Sequence, residues 1–274
     1  MQRPALSLVR LAAFAFGVSG AATAHDFWIE PSTFRPAAGE AITASLRVGQ
    51  KLQGEPLPLI PFFVDRFFVK GRGPEVSIEG ESGAEPAGKG SLSAAGQHWI
   101  GYQSQPAPMV LDARTFEEAL KDEGLERIVA ERARRGLSSS QGRERFSRCA
   151  KALLDSKGAK ADARAAVFDA PLGFTLELVP RKNPYALRPG GELPLALLFR
   201  GKPAANVLVV AMSKDDPEKA VSARTDANGL VTLRIAHPGF WLVKAVHMES
   251  APLDAGVDWE SWWASVTFEL PAAR

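Results

Sequence analysis

Short runs in which apolar and polar residues alternate recur along most of this chain, and glycine or proline separates them. In one such run Ile42, Ala44, Leu46 and Val48 fall on the same side. A period of two is typical of a β-strand with one buried face. Further runs with strand character occupy residues 62–70, 75–79, 175–179, 193–200, 207–212, 221–224, 230–235, 240–247 and 265–270. The pattern predicts a mainly β protein built from sandwiches rather than βαβ units.

The apolar spacing changes to three and four between the two groups of strands. Thr115 and Glu118 have the spacing of a capping box, which predicts that a helix begins there. A second helix is predicted over residues 142–155. Its apolar stripe is formed by Phe146, Cys149, Ala150 and Leu153. We expect the single cysteine to be buried and structural, with metal ligation as the alternative.

These patterns predict two β-sandwich domains. The first covers residues 25–170 and contains the helical insertion, at about residues 115–156. The second covers residues 171–274, where about seven short strands separated by turns are typical of an immunoglobulin-like or fibronectin-like sandwich.

The first 24 residues have the three parts of a secretory signal. Two arginines precede an apolar run at residues 11–22, and Ala22 and Ala24 supply the small residues of a cleavage site. The apolar run is shorter than the roughly 20 residues that cross a bilayer as a helix. We therefore expect export to the periplasm and a mature product that begins at His25 and does not span a membrane.

Charge argues against nucleic-acid binding. The 33 basic and 31 acidic residues of the full chain become 31 of each when Arg3 and Arg10 leave with the signal. A neutral chain has no excess charge to attract phosphate backbones. Because the common nucleotide-binding, zinc-protease and serine-hydrolase motifs are absent from the sequence, a binding protein is expected rather than an enzyme.

Histidines are the candidate metal ligands. As the mature terminus, His25 would offer an α-amine and an imidazole to one ion, an arrangement that suits Cu(II) and Ni(II). A frayed terminus that binds nothing is the alternative. His247, at the end of a predicted strand, is the second candidate, although a hydrogen-bonded structural histidine would look the same. His98 is the reserve ligand, and His237 is expected in an exposed turn without a role.

Three tryptophans crowd into residues 258–263, which are expected to lie in an acidic loop. Such a cluster is typical of packing between domains, and it could also form a platform for sugars. The second reading keeps a metal-independent binding module open as an alternative function.

Seven short segments are similar to segments of a known family. They are residues 24–28 (AHDFW), 54–56 (GEP), 100–102 (IGY), 147–151 (SRCAK), 199–203 (FRGKP), 225–229 (TDANG) and 238–242 (PGFWL). The chain resembles the NikM-like periplasmic proteins, also described as domain of unknown function 4198 and often called nickel or cobalt uptake components. The resemblance implies a secreted β-sandwich protein in which His25 serves a divalent transition metal, with His247 as a further ligand.

The sequence thus predicts a periplasmic protein that binds nickel, cobalt or copper through His25, His247 and His98, for uptake, delivery or buffering. A membrane transporter is a candidate partner. Protons compete with metal for imidazole and amine nitrogens, so affinity should fall as pH drops through about 6 to 7. The alternatives are a metal-independent module that binds polysaccharide or envelope protein, and a copper-dependent oxygenase.

Overall fold

The computed structural model describes residues 25–37, 39–92, 95–156 and 167–272. The predicted export signal lies outside this part of the chain. The strands of the first half are β1 (Asp26–Pro31), β2 (Ala41–Gln50), β3 (Gln53–Leu57), β4 (Val64–Lys70), β5 (Val76–Ser77), β6 (Gly88–Ser91), β7 (Gln97–Ser104), β8 (Ala107–Leu111) and β9 (Gly142–Asp155). Helices α1 (Ala113–Asp122) and α2 (Glu126–Arg134) precede β9. The second half contributes β10 (Leu176–Pro180), β11 (Gly191–Phe199), β12 (Lys202–Pro203), β13 (Leu208–Ser213), β14 (Val221–Arg224), β15 (Leu230–Ile235), β16 (Gly239–Ser250) and β17 (Trp259–Leu270).

These strands form one large and two small sheets. The large sheet has the order β14-β13-β16-β17-β9-β7-β4-β5, and β8 also pairs with β9. One small sheet contains β1, β2, β3 and β6, and the other contains β10, β11, β12 and β15. Almost every pairing is antiparallel, but β9 and β17 run parallel, in register from Glu144 opposite Trp259 to Ala152 opposite Thr267.

The large sheet has a small sheet on each face. On one face, Phe68 and Trp99 share a core with Leu178 and Leu195 of the second small sheet. On the other face, the core around Ile100 also contains residues of the first small sheet, among them Phe27 and Ile29. The helices cover part of this second face, where Phe116, Leu120 and Ile128 pack against Val246, Met248 and Trp259.

The predicted fold class, mainly β with sandwich packing and a helical insertion, is confirmed. In the second half, β10, β11 and β15 pack on β13, β14, β16 and β17, as expected for an immunoglobulin-like or fibronectin-like sandwich. The large sheet takes strands from both predicted domains. The predicted division into two domains at residue 170 stays a prediction, and the two halves share one sheet.

The helical segment differs in detail from its prediction. Helix α1 is capped by Asp112, whose Oδ1 accepts a hydrogen bond from the backbone N–H of Thr115 at 3.0 Å. The predicted start at Thr115 is thus three residues too late. The chain turns at Gly124 and continues as α2. Neither helix of the described chain has the length and apolar character needed to cross a membrane.

The predicted second helix is wrong, because residues 142–155 form strand β9. This strand lies between β17 on one side and β7 and β8 on the other, with side chains buried on both faces. Apolar residues are then needed at both parities, and such a run also satisfies helical spacing. The burial expected for Cys149 is confirmed, since it is 2% exposed. Burial raises the pKa of its thiol to about 12.

Candidate functional site

Strand β1 holds the predicted mature terminus at the surface. His25 is exposed, while the next four residues are buried. Asp26 lies opposite Gly49 in the pairing with β2, and its Oδ1 is 2.5 Å from the Nζ of Lys244 on β16. His25 therefore leads directly into a strand that is fixed on two sides.

Lys244 is the centre of a buried charge cluster. Besides Asp26 it contacts Glu123, the residue that ends α1, at 2.7 Å. The side chains of Lys244, Asp26 and Glu123 are 14%, 5% and 6% exposed. Burial raises the pKa of Glu123, although Lys244 opposes this shift. Burial lowers the pKa of Lys244, but the two carboxylates outweigh it and the net shift is upward. The cluster joins β1, β16 and α1.

His247 lies on the opposite face of the large sheet from Lys244. The two residues are three positions apart on β16, and alternate side chains of a strand point to opposite faces. The imidazole of His247 packs on Phe199 of β11, and the two ring centroids are 4.4 Å apart. Its Nε2 is 3.4 Å from Oε1 of Glu249. Burial, together with the charge of Arg127, lowers the pKa of His247, which favours the neutral ring.

His98 is also remote from His25. It is 3% exposed on β7, its Nδ1 lies 3.2 Å from the carbonyl oxygen of Gly96, and burial lowers its pKa. His98 lies opposite Leu154 of β9, whereas Arg148 of β9 packs over the ring of Phe27 in β1. Arg148 and Leu154 are six residues apart on β9, which corresponds to about 20 Å along the strand. His98 is therefore roughly that far along the sheet from the beginning of β1.

The three predicted ligands are thus not brought together. His25 is at the exposed start of β1, His247 is on the other face of the sheet, and His98 is near the far end of β9. Within the described ranges, no group of three or more His, Cys, Asp or Glu side chains is placed to hold a metal ion. A three-histidine centre does not fit this arrangement, and metal binding at His25 stays a prediction.

His237 and the tryptophan cluster were also singled out from the sequence. His237 is half-buried, with its ring centroid 5.2 Å from that of Trp241. Residues 259–263 begin strand β17 and do not form a loop. Trp259 is fully buried and Trp262 is 8% exposed, and Trp263 donates a hydrogen bond to Ser261. The cluster packs the large sheet to its neighbours on both faces.

A cavity of about 320 Å³ lies beside His247. It lies at the start of β13, because the pairing of β13 with β16 runs from Val209–Ala245 to Ser213–Trp241 and β16 continues beyond Ala245 without this partner. The turn between the helices closes the other side. The lining residues are Gly124, Leu125, Glu126, Arg127, Asn206, Val207, Arg224, Val246 and His247. Sequence reasoning missed this site, although a glycine after a helical run is a helix-stop signal that could have placed the turn.

Solved structures were found at low similarity. The D0-D1 domain of intimin is 14% identical, with a TM-score of 0.22, covering 89% of this chain and 97% of that one. The three N-terminal domains of the bacteriophage RB49 outer capsid protein Hoc are 12% identical, with a TM-score of 0.21, covering 91% and 59%. A tetra-tandem repeat of a large adhesion protein is 15% identical, with a TM-score of 0.20, covering 92% and 50%. Scores near 0.2 support no conclusion about function.

No curated protein matches the sequence. A sequence profile, by contrast, matches residues 22–249, a range that begins just before the predicted mature terminus and ends just after His247. The match covers most of the chain, and the chain therefore belongs to the family described as Domain of unknown function (DUF4198).

Proposed function

We propose that the protein is exported to the periplasm and binds a divalent transition metal, nickel, cobalt or copper, at an amino-terminal histidine. The observation that supports this is the anchored strand that follows His25. Asp26 is buried against Lys244 at 2.5 Å, so residue 25 directly precedes a strand whose first residue is fixed in place. Holding donors in place reduces the entropy lost on binding.

The proposed donors are the α-amine and the imidazole of His25. Two protein nitrogens leave the other positions of a tetragonal ion to water or to a partner. Such an open site suits delivery or buffering, in which the ion must be released, and a membrane transporter is the natural recipient. This proposal describes a binding protein and not an enzyme.

Calorimetry with Ni(II), Co(II) and Cu(II) tests the proposal on mature protein that begins at His25. We expect one metal site per chain. Acetylation of the α-amine and the substitution His25→Ala should each abolish binding, because each change removes one donor. We expect His247→Ala to bind as the parent does. Unchanged metal affinity after acetylation would refute the terminal site. Loss of metal binding in His247→Ala alone would show that the site lies at His247, on the other face of the sheet.

The metal-independent alternative, a module that binds polysaccharide or envelope protein, predicts a different result. Capture of such a partner would persist after removal of metal and after acetylation of the terminus. Since Trp259 and Trp262 are buried, Trp262→Ala is expected to lower stability whether or not a partner binds.

A further inference from the structure

The cavity beside His247 has fixed walls. Gly124 has a φ of +67°, and a Cβ on it would lie 2.7 Å from Cβ of Leu208 and 3.1 Å from Nη2 of Arg224. The helix turn therefore rests directly on β13 and β14. Arg224 also donates hydrogen bonds to the carbonyl oxygens of Asn206 and Gly124, both at 3.0 Å. These contacts join three of the lining segments, so the cavity does not depend on a ligand to form.

Most of the charges around the cavity are paired. Arg224 contacts Glu126 at 2.6 Å, and Arg200, which packs over Trp262 next to His247, contacts Glu249 at 3.6 Å. Arg127 differs from these arginines. It donates a hydrogen bond to the neutral carbonyl oxygen of Met248, and no carboxylate of the described residues lies within ion-pair distance. One positive charge at the cavity is thus left without a direct counter-ion.

The environment of Arg127 favours an anion. Burial lowers the pKa of this guanidinium, with Glu249 opposing the shift at longer range. Arg127 is exposed as a whole residue, so its guanidinium is open to a ligand from solvent, and the nearby protein removes part of its hydration, which strengthens its attraction to a direct anionic partner. Its planar set of N–H donors also matches the paired oxygens of a carboxylate or phosphate. His247 and Asn206, which line the same cavity, add polar groups at its wall.

We infer that this cavity binds a small oxyanion, a carboxylate or a phosphate, with Arg127 as its main contact. The volume of about 320 Å³ is at the lower end of the range for small-molecule sites, so a ligand of a few carbons fits and a long chain does not. The site is separate from His25, and the inference does not depend on metal binding.

Titration of metal-free mature protein with succinate and with inorganic phosphate, at low ionic strength, tests the inference. We expect saturable binding of at least one anion, and the preferred one identifies the class. Arg127→Gln should weaken binding by about tenfold or more, the effect expected for losing a charge-assisted hydrogen bond. Arg134→Gln is the matched control, because Arg134 lies two turns further along α2, is 68% exposed and pairs with Glu131. It should bind as the parent does.

Histidine NMR signals give a readout that does not depend on a variant. Anion binding should shift the ring signals of His247 and leave those of His98 unchanged, since His98 is buried on the other face of the sheet. Failure of both anions to bind would overturn the inference. So would equal affinity in Arg127→Gln and Arg134→Gln, or equal shifts at the two histidines.

Discussion

At the residue scale, burial decides what the ionisable side chains can do. Cys149 is the clearest case, because the sequence placed it on an apolar stripe and left a structural role and metal ligation open. The thiol is enclosed between the large sheet and β10, and its Sγ is 3.9 Å from Oε1 of Gln103. The thiolate, which is both the nucleophile and the metal ligand, is strongly disfavoured there.

Thiol labelling should therefore report unfolding. Because burial raises the pKa of the Cys149 thiol to about 12, far less of it is ionised at pH 8 than of a free cysteine, which has a pKa of about 8.5. We expect no reaction with a disulfide reagent such as DTNB at pH 8 in the folded protein, and stoichiometric reaction after unfolding in urea. Rapid labelling without denaturant would contradict the burial.

At the element scale, the α1–α2 turn is the part of the chain that connects both candidate sites. Glu123 points inward to Lys244 and thereby to Asp26, next to His25. The four residues that follow, 124–127, line the cavity beside His247. The turn therefore fixes the anchor of the amino-terminal strand and the wall of the proposed oxyanion site together.

Substituting Gly124 should test how much this contact contributes. Gly124→Ala combines left-handed backbone strain, about 1–2 kcal/mol, with overpacking against Leu208, about 1–3 kcal/mol more. Gly136→Ala is the matched control, since its φ is +69° but no atom lies within 4 Å of the added Cβ. Urea unfolding should show a clearly larger loss of unfolding free energy in Gly124→Ala. Equal losses would mean that the turn does not press on β13.

At the scale of the whole molecule, the parallel pairing of β9 with β17 makes one sheet of the two halves. A buried ion pair reinforces the connection. Nζ of Lys151 in β9 is 2.7 Å from Oε1 of Glu177 in β10, and these side chains are 1% and 2% exposed. Glu177 also accepts backbone hydrogen bonds from Leu172, Gly173 and Phe174. Residues 172–174, which precede β10, are thus tied to the centre of the large sheet.

The halves should accordingly unfold together. We expect fragment 171–274 to lack a cooperative unfolding transition, because its core includes Phe68, Trp99, Cys149 and Leu153 from the other half. The intact mature protein should lose tryptophan fluorescence and far-UV circular dichroism in one coincident transition. An independently folded fragment, or two separated transitions, would instead support the division into two domains at residue 170.

The sequence by itself determined the local features of this protein. Alternation and a turn signal between them predicted β14 and β15 with the bounds that the structure has, because β15 has one buried face and the alternate residues Val221 and Ala223 of β14 are partly buried against the same core. Family membership, the mainly β class and the burial of Cys149 were also accessible from residue types and short motifs. Metal binding at His25 stays a prediction.

Only the tertiary structure decided what depends on contacts between distant segments. The residues of strand β9 have helical spacing because the small sheets stacked on the two faces of the large sheet bury both sides of the strand, which removes the alternation that identifies a strand. The sequence allowed His25 and His247 to be proposed as ligands of one ion. The stacking of the sheets, and no local pattern, decides that the strand after His25 packs on one face of β16 while the side chain of His247 lies on the other. The cavity arises where β13 begins short of the end of β16 and the helix turn at Gly124 packs against it. No local pattern encodes that coincidence.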